Sequence, residues 1–356
     1  MTEIELRRIA GSVVMVGFRG LSAGPDSDIH RDLRENHFAG VILFDEHVPT
    51  GEHDRNIASP EQLRRLTAEL QAASDPLLLI AIDQEGGQVA RLNSRNGFRQ
   101  FPSHAEMGEK FEPAETQLTA SHIAKALAEV GVNVNFAPVV DLNINPRNPI
   151  IGAQGRSFSE DPAVVTDHAR SFIAGHREHG VATAIKHFPG HGSSTADTHL
   201  SAVDVTESFT DSELIPYRCL INEGVVDMVM VGHLRHRGFD PELPGSRSHR
   251  PASLSARMID GLLRRELGFD GVVVTDCLDM AAVAEHYSLQ ERVTLALNAG
   301  VDLLLFGNNL VYDPNRPTQV VDAVVAAVQA GDVSEECLRQ NVDRIDRLRQ
   351  SVTGNQ

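Results

Sequence analysis

The chain has 356 residues, long for a typical domain but ordinary for an α/β barrel. Hydrophobic residues at 41% and charged residues at 23% sit near globular averages, which excludes wholesale disorder. Against 49 Asp and Glu stand 32 Lys and Arg, a formal charge of −17, so polyanions such as nucleic acid or an anionic membrane surface are not expected partners.

From the N-terminus, the first apolar run, Ser12 to Phe18, is too short to span a membrane. Two glutamates precede it and no small-residue cleavage site follows, so no secretory signal is expected and a cytoplasmic location is. Further runs occupy 41–44, 77–83, 134–141, 182–188, 228–234, 271–276 and 302–308. They are near-continuous in Val, Ile and Leu, as strands buried on both faces of a parallel sheet must be. Helical periodicity fills 59–73, 116–130, 161–179, 211–223, 253–267, 280–298 and 318–330. Ser59-Pro60-Glu61, Asp161-Pro162 and Ser253-Leu254-Ser255 read as helix starts. The alternation predicts one α/β domain over 1–356, a single (β/α)₈ TIM barrel, with a doubly wound sheet as the competing arrangement. The three cysteines, Cys219, Cys277 and Cys337, form no CxxC pair, and neither a disulfide framework nor a zinc site is expected.

A barrel places its chemistry at the C-terminal ends of its strands. Asp83, Asp141, Lys186-His187, His233, Asp276 and Asn308 all fall at or near the end of an apolar run. The richest stretch is KHFPGHGSSTADTH, 186–199. Its glycines and proline disfavour a helix, so His187 and His191 do not form a helical zinc pair, although a metal set drawn from His187, His191, His199 and His233 stays open. In the other reading Asp197 orients His199, which then exchanges a proton near neutral pH; the plain alternative is a loop held by its own polar groups. In GVVVTDCLDM, 271–280, Asp276 closes a buried strand, where a carboxylate needs donors or a role. It is suited to attack an anomeric carbon, or else to cap the next helix; Asp279 is the better cap, and Cys277 reads as packing. IDQEGGQVARL, 82–92, sets Asp83 and Arg91 around a close Gly86-Gly87 turn, an arrangement suited to hydroxyl-rich ligands. Arg156 stands in a glycine-containing loop before a helix.

Taken together, IDQEGG, FAPVVDLNINPRNPIIG, GRSFSEDP, KHFPGHG with DTH, and PASLS followed by LLRRELGFDGVVVTD resemble glycoside hydrolase family 3. Within it the chain looks like the single-domain bacterial β-N-acetylhexosaminidases of peptidoglycan recycling. The resemblance implies an exo-acting, retaining enzyme that removes terminal N-acetylglucosamine from peptidoglycan fragments or chito-oligosaccharides without a cofactor or metal. Its small carbohydrate substrate is the implied partner. By matched position it implies Asp276 as nucleophile, His199 as acid/base and Asp197 as its orienting partner. Asp83, Arg91, Arg156, Lys186 and His187 are implied to hold the sugar. Three positions depart from the family pattern: Gln88 replaces Arg in EGGR, Ser193 an Asp after KHFPGHG, and Cys277 the residue type common after the nucleophile. Two alternatives keep the fold: phosphorolysis at the same site, and a non-catalytic sugar-binding barrel.

Overall fold

The computed structural model describes residues 2–241 and 249–353. Eight parallel strands form its central sheet: β1 (Val14–Gly17), β2 (Gly40–Ile42), β3 (Leu79–Ile82), β4 (Val134–Asn135), β5 (Ala182–Phe188), β6 (Met228–Val231), β7 (Val272–Thr275) and β8 (Leu304–Phe306). Hydrogen bonding runs in the order β7-β6-β5-β4-β3-β2-β1-β8. The ends of that order meet through a parallel bridge between Val274 and Leu303, and Thr275 N donates to Leu303 O at 3.2 Å. The sheet therefore curls into a barrel with helices around it, the TIM arrangement expected from the alternating pattern. Each predicted run holds one strand, and every strand residue is buried, which explains why the runs lack polar alternation.

Helices start where the caps indicate. Ser59 accepts from Gln62 N ahead of helix Pro60–Ala73, and Asp161 accepts from Ala163 N ahead of Pro162–Arg177. Three expected helices are broken. The 211–223 segment opens as a 3₁₀ turn, Asp211–Leu214, before helix Ile215–Asn222. The 253–267 segment becomes a 3₁₀ turn, Ala252–Leu254, and a π-helix, Arg257–Glu266; Ser255 accepts from Met258 N at 3.2 Å at its start, while the Ser253 hydroxyl bonds His233 Nδ1 at 2.7 Å. The 280–298 pattern splits into Ala281–Ala284 and Leu289–Ala299, because a capping box of Ser288 and Glu291 starts a new helix. Asp279 is not the expected cap: it accepts from Asn308 N at 3.3 Å and lies 3.6 Å from both Arg292 and Arg316, joining β7 to β8.

Helices Glu3–Gly11, Asp28–Asn36, His104–Lys110 and Glu335–Thr353 were not expected. Asp28–Asn36 buries few apolar side chains, chiefly Ile29 and Leu33, too thin a stripe for periodicity to register. Among the described residues no helix is long and apolar enough to cross a membrane.

Candidate active site

A cleft of about 490 Å³ opens at the C-terminal ends of the strands. Every candidate site residue lines it: Asp83, Arg91, Arg156, Lys186, His187, Asp197, His199 and Asp276. They separate into a buried floor and an exposed mouth.

The floor is built on Lys186 and Arg156. Lys186 ends β5 with its side chain only 2% exposed, its ammonium 2.8 Å from Asp83 Oδ1 and 2.7 Å from Glu85 Oε1. Arg156 donates to both oxygens of Glu85 at 2.8 Å, and to Ile150 O. Glu85 thus neutralises two cations from separate loops. Burial alone would raise its pKa, but Arg156 and Lys186 hold it far below the usual carboxylate range. The same pairing raises Lys186 against its own burial, so the ammonium keeps its proton. Arg91 lies 3.8 Å from both Asp83 and Asp45, beyond the Gly86-Gly87 turn. That turn needs glycine: both residues have positive φ, and a Cβ on Gly86 would lie 2.1 Å from Pro102 O.

Asp141, beyond β4, holds the other half of the floor. It accepts from His187 N at 3.1 Å, His191 N at 2.8 Å and His187 Nδ1 at 2.7 Å. Burial opposes its charge, yet His187 and these donors keep its pKa low. With Nδ1–H given to Asp141, Nε2 of His187 is left to accept from Arg156, 3.4 Å away. His191 and His233 are also committed. His191 Nδ1 meets Ser194 Oγ at 2.8 Å, and burial pulls its pKa down to about 4. His233 meets Ser253 Oγ at Nδ1 and Cys277 O at Nε2, 2.9 Å. Among the described residues no three His, Cys, Asp or Glu side chains group as a metal site needs.

Asp276 follows β7 and faces the cleft, with Oδ1 accepting its neighbour's amide, Cys277 N, at 2.7 Å. Burial would raise its pKa, but His233, His187 and His199 outweigh that and bring it to about 2. The carboxylate is ionised and unprotonated throughout the neutral range. Cys277 packs its sulfur on Gly307 N at 3.2 Å, and burial pushes its thiol well up, leaving it no thiolate character.

At the mouth, Asp197 Oδ1 accepts from both His199 N at 2.8 Å and His199 Nδ1 at 2.7 Å. The carboxylate therefore fixes the tautomer, and Nε2 is the nitrogen left for the cleft. Burial opposes the imidazolium, but the hydrogen bond to Asp197 and the charges of Asp276 and Asp197 raise the pKa of His199 above 6.5. His199 and Asp276 share one cleft, close enough for each to shift the other. Glu46, Val48, Gln88 and Leu200 complete the mouth.

Sequence reasoning missed Glu85 as a site residue and gave Asp141 no role. Glu85 lay in view within IDQEGG, and Asp141 at a strand end; what was hidden is that their partners come from residues 71 and 46 positions away.

The family model "Glycosyl hydrolase family 3 N terminal domain" matches residues 6–348. Beta-hexosaminidase A of Pseudoalteromonas piscicida is 34% identical over 328 residues, 87% of this chain and 53% of that protein. Among solved structures, a glycoside hydrolase family 3 β-N-acetylglucosaminidase from Paenibacillus superposes with a TM-score of 0.88 at 37% identity, covering 100% of this chain and 64% of the other. The β-N-acetylhexosaminidase of Beutenbergia cavernae gives 0.81 at 32%, covering 98% of both chains. The chain thus spans about half of the first relative and nearly all of the last.

Proposed function

The chain belongs to glycosyl hydrolase family 3, and from that premise we propose that it is a retaining exo-β-N-acetylglucosaminidase acting on peptidoglycan fragments or chito-oligosaccharides. The observation that carries the reading is the cleft itself. An ionised Asp276 and an Asp197-oriented His199 open onto the same space, above a floor of paired polar groups. We read residues 1–356 as one barrel domain working in the cytoplasm, and the mechanism needs only the chain's own residues.

In the first step an Asp276 oxygen attacks the anomeric carbon as the C–O bond to the leaving group breaks, and His199 Nε2–H gives its proton to the departing oxygen. In the second, neutral His199 takes a proton from water, whose oxygen attacks the same carbon and displaces Asp276. Two inversions return the β configuration. Asp83, Arg91, Arg156, Lys186 and His187 orient the sugar hydroxyls, and their mutual pairing keeps them in place before the sugar arrives.

The test is release of p-nitrophenol from its β-N-acetylglucosaminide in phosphate-free buffer. Turnover by wild type that disappears in Asp276→Ala supports both the substrate class and the nucleophile. Turnover that appears only on adding phosphate, with a sugar phosphate as product, replaces hydrolysis by phosphorolysis at the same site. No turnover under either condition overturns the reading.

A further inference from the structure

The stem that carries Asp197 and His199 is held by two buried carboxylates. Asp141 takes the amides of His187 and His191, as described. The second is Glu213, from the 3₁₀ turn Asp211–Leu214, which no step of the mechanism uses. Its side chain is buried, and Oε2 accepts from Gly192 N at 3.0 Å and Ser193 N at 3.3 Å. The stem packs tightly at two glycines. Gly190 has φ 143°, and a Cβ there would lie 2.7 Å from Glu213 Cβ; one on Gly192 would lie 1.7 Å from Leu142 O. Asn148 adds bonds to His191 O and Ser194 Oγ, and Asn145 one to Ser194 O. Beyond Ser194 the chain rises to the mouth, where His199 is exposed.

Glu213 is not a satisfied structural carboxylate. Oε1, the Ser193 hydroxyl and the Tyr217 hydroxyl are all buried and none has a partner at full hydrogen-bond geometry, although the Ser193 side chain and the Thr210 amide lie near enough to favour the charged form. Leaving a buried carboxylate half unpartnered is costly, and two backbone amides are a small return for stability alone. We propose that Glu213 is a positioning residue: by holding the amides of Gly192 and Ser193 it sets the stem from which Asp197 and His199 reach the glycosidic oxygen. This rests on His199 being the acid. Ionisation tunes the hold, since a carboxylate accepts amide hydrogens more strongly than a neutral acid. Burial lifts the pKa of Glu213 to about 7; Ser193 opposes the rise and Asp141 adds to it. The titratable groups facing it are Asp141, with His187 and His191 bound to that carboxylate, and Tyr217.

Glu213→Gln keeps one acceptor oxygen and the side-chain shape, removes the charge and turns the other oxygen into an NH2 donor. The experiment compares it with wild type on chitobiose, a poor leaving group, and on p-nitrophenyl β-N-acetylglucosaminide, an activated one, from pH 5 to 9. The expected result is a loss in kcat of about tenfold on chitobiose at pH 8, with KM and the activated substrate changed less than about twofold, because only the poor leaving group needs the proton. On chitobiose the ratio of wild-type to variant kcat rises as the pH increases through about 7, on top of the His199 limb that both proteins share. Equal loss on both substrates, or no loss on chitobiose, overturns the proposal. Amide hydrogen exchange needs no turnover and separates this inference from the functional reading. Protection of Gly192 and Ser193 falls in wild type as the pH drops through 7 and stays constant in the variant; pH-independent protection in wild type rejects the anchor even if both substrates are cleaved.

Discussion

The floor and the mouth of the cleft use the same chemistry, a carboxylate paired with a basic side chain, under opposite conditions. At the floor, the Lys186 and Glu85 side chains are each 2% exposed and each has two oppositely charged partners from distant parts of the chain. At the mouth, the His199 side chain is 46% exposed and has one partner two residues away. Buried pairing makes the floor expensive to disturb, because removing one charge strands the others away from water. The mouth is held by short-range bonds near solvent, chiefly the two from His199 to Asp197, so it contributes little to stability and is free to adjust to substrate. In the proposed mechanism, binding falls where rigidity is unavoidable and proton transfer where movement is cheap.

Asp276, between the two, sets the scale. Asp276→Ala lowers kcat by roughly 10⁴–10⁶-fold with the fold intact, as removal of a nucleophile does; steady-state kinetics beside circular dichroism checks it, and residual activity within about a hundredfold of wild type would assign the nucleophile elsewhere. His199→Ala tests the mouth. Chitobiose cleavage falls about 10²–10⁴-fold while the p-nitrophenyl substrate suffers far less, and thermal stability hardly moves. Glu85→Gln tests the floor and reverses that pattern. Arg156 and Lys186 lose their shared counter-charge, unfolding free energy drops by about 3–5 kcal/mol, and KM rises on every substrate alike. Because Glu85 is depressed in the folded protein, its contribution is present above pH 4.5 and fades as the pH falls toward the folded value. The stability gap between wild type and Glu85→Gln therefore narrows in acid, which denaturant melts at pH 7 and pH 4 read directly. A constant gap would mean that the loss is one of packing.

The smallest effect belongs to Asp197→Asn. Asp197 helps raise the pKa of His199, so the alkaline limb of the kcat profile, which lies above pH 6.5 in wild type, moves to lower pH in the variant. At pH 6 the loss stays within about tenfold, and it grows toward pH 8 as the imidazolium is lost earlier. An unmoved limb would show that Asp197 only braces the loop.

The eight strands, the barrel and the placement of ionisable groups at strand ends were all legible in the sequence, because runs of Val, Ile and Leu ending in a polar residue have few other uses. KHFPGHG with Asp197 and His199 was legible for a local reason: the dyad is formed between residues two apart. What stayed illegible was second partners. The Asp279 carboxylate looked like a cap and proved to be a tie between β7 and β8, since both features present an acid before a helix. Of Ser253-Leu254-Ser255, read as a helix start, Ser255 accepts from Met258 N as a cap does, but Ser253 holds His233, which the sequence did not show.

The sequence by itself determined which atoms reach the cleft, since period, strand length and terminal residues act over a few positions. Only the tertiary structure decided how those atoms are charged and held. Glu85 joins two loops, Asp141 fixes the His187 ring, and Glu213 grips the stem of the catalytic loop, each through contacts that exist only once the barrel closes. Charge in a buried site is set by distance and dielectric, and neither is written along the chain.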